Sequence, residues 1–127
     1  MIPSKNKPRD PDRALHMVEA ARWIQDETAS LTLAELLADR KMQLSLERQF
    51  EILGEAAAHI SEATQQQWPA IDWRRTKNFR NLIAHEYSRV DYAQILYTAQ
   101  HIIPQLLPHL EALLLDLDRR FGPDARV

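Results

Sequence analysis

Apolar residues recur along this chain at steps of three and four, and this helical periodicity is the strongest constraint on its fold. The longest stripe runs through Met42, Leu46, Phe50, Leu53, Ala57 and Ile60. Only two glycines occur in the 127 residues, whereas sheets with tight hairpins usually need more. The pattern therefore predicts an all-α fold. Four amphipathic helices with short connections pack most simply as an up-and-down four-helix bundle.

Two local patterns mark the starts of the first two predicted helices. Asp10 precedes Pro11, and proline suits the first helical position because its missing N–H would be unpaired there anyway. The sequence Thr32-Leu33-Ala34-Glu35 matches a capping box, in which two side chains satisfy backbone donors of the first turn. We predict that this second helical region continues through the long apolar stripe and ends near Trp68.

Aspartate marks the starts of the third and fourth predicted helices. Asp72 precedes the third and Asp91 precedes the fourth, and aspartate is a favoured N-cap because its side chain accepts from free backbone N–H groups. Pro104 and Pro108 fall within the fourth helix. Each proline removes a backbone donor, so we expect a kink or a break there.

Length and composition indicate one domain. A chain of 127 residues can bury about two-thirds of its unfolded surface. We assign residues 1–11 to a flexible N-terminal arm, residues 12–121 to the helical domain and residues 122–127 to a frayed tail. The chain has no cysteine, which excludes disulfides and thiolate metal sites, and no apolar run of the ~20 residues that span a bilayer. We expect a cytoplasmic protein with no membrane partner.

The segment 80–87, Arg-Asn-Leu-Ile-Ala-His-Glu-Tyr, concentrates the side chains best suited to chemistry. Arg80 carries a fixed positive charge that can hold a phosphate through two parallel hydrogen bonds. His85 titrates at about pH 6.5 and can therefore accept or donate a proton at neutral pH. An RNA 2′-hydroxyl can supply the nucleophile, so cleavage needs no metal ion. The pair suits the cleavage of a phosphodiester such as that of RNA, although an arginine and a histidine five residues apart also occur by chance in many helices. Asn81 can orient a group or cap the helix end.

A regular α-helix over residues 80–87 would place these side chains on different faces. At ~100° per residue, Arg80 and Tyr87 lie about 20° apart, whereas Arg80 and His85 lie about 140° apart. The catalytic pair can then cooperate only if the helix ends near His85 or if two copies of it meet. The second arrangement predicts a homodimer in which Arg80 of one chain approaches the partner's His85.

Basic residues surround this segment. Between Trp73 and Arg89 there is one acidic residue, Glu86, against five basic ones, on a chain with a net charge of −2. We expect four of the basic residues to hold the RNA backbone: Arg74, Arg75, Lys77 and Arg89. A solvated charged face is the alternative, and it is the usual fate of such runs.

Each candidate also has an ordinary structural explanation. His85 can equally be exposed or structural, Arg80 a surface ion-pair partner, and Tyr87 a packing aromatic with a polar tip. The other four histidines look incidental: His16, His59, His101 and His109. The sequence has no set of histidines and carboxylates with convincing metal-binding spacing, no serine nucleophile elbow and no phosphate-binding glycine loop.

The arrangement of Arg80, four residues, His85, one residue and Tyr87 resembles the motif of HEPN-type toxins of the HepT family. Residues 50–57 resemble the family's Ile-Gly-Glu-Ala helix, and residues 69–73 resemble its Pro-x-Ile-x-Trp turn. The resemblance covers nearly all of the chain, and the combination is far more specific than the eight-residue motif alone.

This resemblance implies a four-helix bundle that dimerises with its motif helices facing each other. It implies a metal-independent endoribonuclease without cofactors, acting as the toxin of a type VII-like toxin–antitoxin pair. The implied partner is an MntA-type nucleotidyltransferase antitoxin that silences the toxin by adenylylating the motif tyrosine, here Tyr87. An AMP group there would add charge and bulk beside Arg80 and His85, where an RNA phosphate should sit. Leu96 stands where family members often carry tryptophan, at a position that looks like packing.

Three hypotheses therefore stand. The leading one is an RNA-cleaving toxin, and the second is a non-catalytic helical subunit that binds a nucleotidyltransferase and is modified by it. The third is a helical dimer without chemistry. An RNA-cleavage assay with His85→Ala as the control separates the first hypothesis from the second.

Overall fold

The computed structural model describes residues 9–83 and 90–122, and within these ranges the chain forms helices and no strand. The elements are α1 Asp10–Thr28, α2 Leu33–Leu37, α3 Arg40–Ala58, α4 Glu62–Gln67, α5 Trp73–Lys77, a 3-10 segment Asn78–Leu82, α6 Tyr92–Tyr97, a π-helical segment Thr98–Ile102 and α7 Ile103–Phe121. The predicted all-α fold is confirmed. None of the described helices is long and apolar enough to cross a membrane.

The core lies along α1, which packs against both α3 and α7. The apolar positions that periodicity assigns to the inner face of α1 are buried: Ala14, Met17, Val18, Ala21 and Ile24. From α3 and α7 the largest enclosed side chains are Phe50, Leu46, Leu53, Ile103, Leu110, Leu113 and Leu117. The periodicity therefore identifies the faces on which the three long helices meet.

The second helical region is divided, whereas the apolar pattern predicts one continuous helix. The capping box of Thr32 and Glu35 is present, but α2 ends at Leu37 after five residues. Asp39 then accepts a hydrogen bond from the Met42 backbone N–H at 3.0 Å and starts α3. The apolar spacing carries across this break, which is why spacing alone does not reveal it.

A second departure is α4, a short helix that the apolar pattern does not predict. Ser61 caps it by accepting from the Thr64 backbone N–H at 3.3 Å. The Asp10 carboxylate accepts from the Ser61 backbone N–H at 2.9 Å and from the Thr64 hydroxyl at 2.5 Å. Asp10 therefore stands at the start of α1, as expected, but its side chain ties α1 to α4 instead of capping its own helix.

The chain changes from α-helical to 3-10 geometry at Asn78, two residues before the motif begins at Arg80. The Asp72 side chain accepts from the Arg75 backbone N–H at 3.0 Å, so the predicted cap of α5 is confirmed. The 3-10 segment follows, and after it the Ile83 N–H donates to the Arg80 carbonyl at 3.3 Å. The α-helical geometry assumed for this segment is wrong as far as Leu82, so the 140° angle of a straight α-helix does not apply.

A glycine on α3 lets the 3-10 segment lie directly against that helix. A Cβ atom at Gly54 would lie 2.7 Å from Cγ of Arg80, 3.1 Å from the backbone nitrogen of Arg80 and 3.2 Å from the Lys77 carbonyl oxygen. Phe79 of the segment is buried edge-on against Phe50 of α3, with ring centroids 5.5 Å apart. The glycine and the ring pair together set the depth at which the segment packs.

The interruption expected in the fourth helix is a π-helical segment and not a break at the prolines. Asp91 caps α6 by accepting from the Gln94 backbone N–H at 3.1 Å, as predicted. The helix widens over Thr98–Ile102, so that Pro104 falls in the first turn of α7, where a missing N–H costs little. Of the kink or break expected at Pro108, the break is excluded because α7 continues through this residue.

A polar cluster holds the start of α6 against α3. The Tyr92 hydroxyl donates to the Glu47 carboxylate and accepts from Arg40 Nη1 at 3.3 Å. Burial raises the pKa of the Tyr92 phenol above its usual value, and the hydrogen bond to Glu47 raises this pKa further. Helix α3 thus fixes the chain on both sides of residues 84–89, through Gly54 before them and through Tyr92 after them.

We predict that Gly54→Ala lowers the free energy of unfolding by roughly 1–3 kcal/mol, the usual cost of overpacking. In an unobstructed helix the same change would stabilise by about 0.5–1 kcal/mol, because glycine loses more backbone entropy than alanine on folding. The sign of the change, measured by urea unfolding, is therefore the test. The double variant Gly54→Ala/Arg80→Ala lacks the Cγ contact and should recover part of the loss. A stability equal to or above that of wild type would contradict the packing described.

Candidate active site

Two contacts hold Arg80 in place on the 3-10 segment. Its Nε donates to the Lys77 carbonyl at 3.3 Å, and its Nη1 forms an ion pair with Oε2 of Glu55 at 3.1 Å. The two side chains are 46% and 58% exposed. No residue of the described ranges accepts a hydrogen bond from Nη2 of Arg80. The guanidinium is therefore oriented by the protein and open to a ligand.

The ion pair between Arg80 and Glu55 is of a kind that a stronger ligand can replace. Exposed pairs contribute about 0–1 kcal/mol, because water competes for both groups. A phosphate can accept two parallel, charge-assisted hydrogen bonds from one guanidinium. Glu55 therefore orients Arg80 at little cost to anion binding.

Arg80 lines a cavity of about 560 Å³ between α1, α3 and the 3-10 segment. This volume lies in the range of small-molecule sites, about 300–1,000 Å³. Besides Arg80 and Glu55, the ionisable side chains in its wall are Arg13, His16, Arg48 and Glu51. Ile83 also lines the cavity and is the last described residue before residues 84–89. The chain therefore enters the rest of the motif from the cavity wall.

Three of the predicted RNA-binding residues, Arg74, Arg75 and Lys77, do not line the cavity that Arg80 lines. Arg74 is exposed, and Lys77 contributes its carbonyl to holding Arg80. Arg75 lies 3.9 Å from an Asp72 carboxylate oxygen and lines a second cavity, of about 160 Å³, against α7. The structure therefore separates Arg75 from Arg80, although the two are five positions apart in sequence.

Several predicted residues have no described position. His85, Tyr87 and Arg89 lie outside the described residues, so their placement beside Arg80 stays a prediction. Asn81 lies within them and is exposed, and no hydrogen bond joins its side chain to another described residue. In the parts of the chain that the structure describes, no three His, Asp or Glu side chains form a group that could hold a metal ion.

Residues of α1 and α3 that look unremarkable in the sequence form much of the cavity wall. His16, which looks incidental in the sequence, lines the cavity three residues after Arg13. On α3, Arg48, Glu51 and Glu55 follow at spacings of three and four, so they share one helix face. This polar stripe beside the buried stripe of α3 is the sequence pattern that could have revealed them.

Comparison with known proteins gives concordant matches. The sequence model of the family described as “Ribonuclease HepT-like” matches residues 17–113. A Thermococcus cleftensis protein named “Probable ribonuclease HepT” is 31% identical over 97 residues, which are 76% of this chain and 88% of that protein. A Methanocaldococcus jannaschii protein, a candidate RNase by name, is 26% identical over 102 residues, or 80% of this chain and 84% of that protein.

A more distant relative gives the same result. A protein of Caldanaerobacter subterraneus subsp. tengcongensis, also a candidate RNase by name, is 21% identical over 99 residues, or 78% of this chain and 88% of that protein. No solved structure matches the chain at a significant level. The family match includes α3 and Arg80 but begins after Arg13 and His16, the residues of α1 that line the cavity. The chain belongs to the HepT-like family of ribonucleases.

Proposed function

We propose that this chain is a metal-independent endoribonuclease and the toxin of a type VII-like toxin–antitoxin pair, acting on RNA in the cytoplasm. The observation that carries the proposal is the placement of Arg80. Its guanidinium is oriented by Glu55 and lines a cavity of about 560 Å³, in a chain of a ribonuclease family. A phosphodiester fits such a cation, because two of its oxygens can accept from one guanidinium.

In the proposed reaction the RNA 2′-oxygen attacks the adjacent phosphorus, and the bond from phosphorus to the 5′-oxygen breaks. His85 accepts the proton of the 2′-hydroxyl as the new O–P bond forms, and the imidazolium or water returns a proton to the leaving 5′-oxygen. The products are a 2′,3′-cyclic phosphate and a 5′-hydroxyl. Arg80 holds the non-bridging oxygens, on which negative charge builds up. Asn81 orients a reacting group, and Arg74, Arg75, Lys77 and Arg89 hold the flanking backbone.

We predict that Arg80→Ala and His85→Ala each slow RNA cleavage by at least ~100-fold, because groups that stabilise transition-state charge contribute about 10²–10³ in kcat. Neither change should reduce helix content. Arg22→Ala is the matched control, because it removes another exposed arginine–glutamate pair, with Glu111 at 2.7 Å, outside the cavity. Single-turnover cleavage of labelled RNA gives the rates, and circular dichroism reports the fold.

Two outcomes would change the assignment. Loss of folding together with activity in Arg80→Ala, but not in Arg22→Ala, would favour a structural role for Arg80. Unmodified wild-type protein that cuts no RNA would favour the second hypothesis, a non-catalytic subunit that binds a nucleotidyltransferase.

We further propose that an MntA-type nucleotidyltransferase is the antitoxin and transfers AMP to Tyr87. The phenol oxygen attacks the α-phosphorus of ATP, pyrophosphate leaves, and the phenol proton passes to solvent or a base of the transferase. The added phosphate then competes with RNA for Arg80, and the adenosine adds bulk at the site. The competing acceptors differ in availability, because the Tyr92 hydroxyl is bonded to Glu47 whereas Tyr97 is 59% exposed.

We predict that co-expression with the transferase places AMP on Tyr87 and abolishes cleavage, because the AMP phosphate occupies the site of the RNA phosphate. Tandem mass spectrometry locates the modification. Tyr87→Phe should stay folded, escape modification and remain toxic in the presence of the transferase. Tyr97→Phe is the matched control and should be modified and silenced like wild type. AMP found only on Tyr97, or full activity of protein modified at Tyr87, would overturn the proposal.

We also propose that the active form is a homodimer with its motif segments facing across a two-fold axis, the commonest symmetry of oligomers. Light scattering at micromolar concentration should then give twice the chain mass of 14.8 kDa. Because each site would combine Arg80 of one chain with the partner's His85, mixing inactive Arg80→Ala and His85→Ala proteins should restore part of the activity. A monomeric mass, or no recovery in mixed dimers, would count against a shared site.

A further inference from the structure

We propose that the cavity beside Arg80 binds the RNA nucleotide that flanks the scissile phosphate, with Arg13 of α1 and Arg48 of α3 holding the phosphate of that nucleotide. The inference rests on the proposed ribonuclease function and deepens it. It adds a second anion site, built by two scaffold helices instead of by the motif.

Two arginines of the cavity wall, Arg13 and Arg48, have no charge partner among the described residues. Among the described residues, neither side chain forms an ion pair or a hydrogen bond. Four other arginines have a carboxylate partner within 4 Å: Arg22, Arg75, Arg80 and Arg120. Exposed Arg74 and Arg119 also lack a partner within the described ranges, but they line neither cavity. Within the described residues, Arg13 and Arg48 are thus arginines of this cavity wall that have no ion-pair partner.

The Arg13 guanidinium carries a shielded donor. Its Nε is buried, and no described residue accepts a hydrogen bond from it. Buried donors are nearly always satisfied, since an unmade bond leaves the desolvation of a charged group uncompensated. Because the Nε itself is shielded from the cavity, a phosphate would bind the rest of the Arg13 guanidinium and compensate its charge. An anionic ligand therefore suits the site better than a neutral one.

The rest of the cavity wall suits one nucleotide better than a row of phosphates. Three arginines face two carboxylates in the cavity, and one of those carboxylates, Glu55, already pairs with Arg80. Glu51 can accept a hydrogen bond from a ribose hydroxyl or a base N–H. Ile52 and Ile83 provide apolar surface for a base. A volume of about 560 Å³ accommodates a ligand of this size.

The test compares Arg13→Gln and Arg48→Gln with Arg119→Gln, which removes an exposed, unpaired arginine of α7. The probe is a mixed-sequence RNA oligonucleotide with 2′-O-methyl groups, which prevent cleavage, and fluorescence anisotropy measures its binding. We expect each cavity variant to weaken binding about tenfold and to reduce the slope of log K against log salt by about 0.7, the value for one phosphate of a single strand. Arg119→Gln should match wild type.

Cleavage of unmodified RNA provides the second readout. Because Arg13 and Arg48 are proposed to hold a flanking group equally in the ground and transition states, their variants should raise KM and leave kcat within about twofold. Arg80→Ala should instead lower kcat. Arg48 is exposed, so Arg48→Gln keeps the test valid even if Arg13→Gln disturbs α1.

The outcomes separate this inference from the proposed function. Cavity variants that bind and cleave like Arg119→Gln would overturn the inference while leaving the ribonuclease assignment intact. A fall in kcat with unchanged binding would also overturn it, because Arg13 and Arg48 would then act on the reacting phosphate. Wild-type protein that neither binds nor cuts RNA would refute both.

Discussion

Because Gly54 has no side chain, the 3-10 segment that carries Arg80 can pack directly against α3. Backbone atoms of residues 77–80 lie as close as 3.1 Å to the position a Cβ would occupy, so no other residue fits there without displacing the segment. Glu55, the next residue of α3, supplies the ion-pair partner of Arg80. Phe50, one turn before Gly54, receives the ring of Phe79. One stretch of α3 thus fixes the depth, the packing and the charge partner of Arg80.

A feature of this fold can be predicted from the sequence where residues close together in the chain determine it. It cannot be predicted where contacts between distant segments determine it. Apolar periodicity defines the buried faces, and aspartate caps are local, so the all-α fold and the caps at Asp72 and Asp91 follow from sequence. The break before α3 does not follow, because the cap at Asp39 interrupts the helix without disturbing the apolar spacing. The 3-10 segment at Arg80 is set by its fit against α3, a tertiary contact that no local pattern contains.

The candidate site shows the same division. Arg80 stands out in the sequence because it belongs to a compact motif, and the family match covers that motif. Arg13 and Arg48 are 35 positions apart on separate helices, and they lie in one cavity wall only because α1 packs on α3. His16 looks incidental for the same reason. A motif reveals residues that are close in sequence, whereas residues contributed by scaffold helices become visible only when the packing is known.

Glu55 lies close to both Arg80 and His59, and this position affects how readily Arg80 can exchange the carboxylate for a phosphate. Its carboxylate lies 3.1 Å from Nη1 of Arg80 and, through its other oxygen, 3.6 Å from Nδ1 of His59. When a phosphate takes over Arg80, the Glu55 carboxylate is therefore left beside His59 and in contact with water, because it is 58% exposed. A buried carboxylate would carry a large desolvation cost after losing its partner, whereas a half-exposed one does not. The exposure of this pair makes it a weak contributor to stability. In the proposed reaction, the same exposure would let Glu55 orient Arg80 before RNA binds and release it when RNA binds.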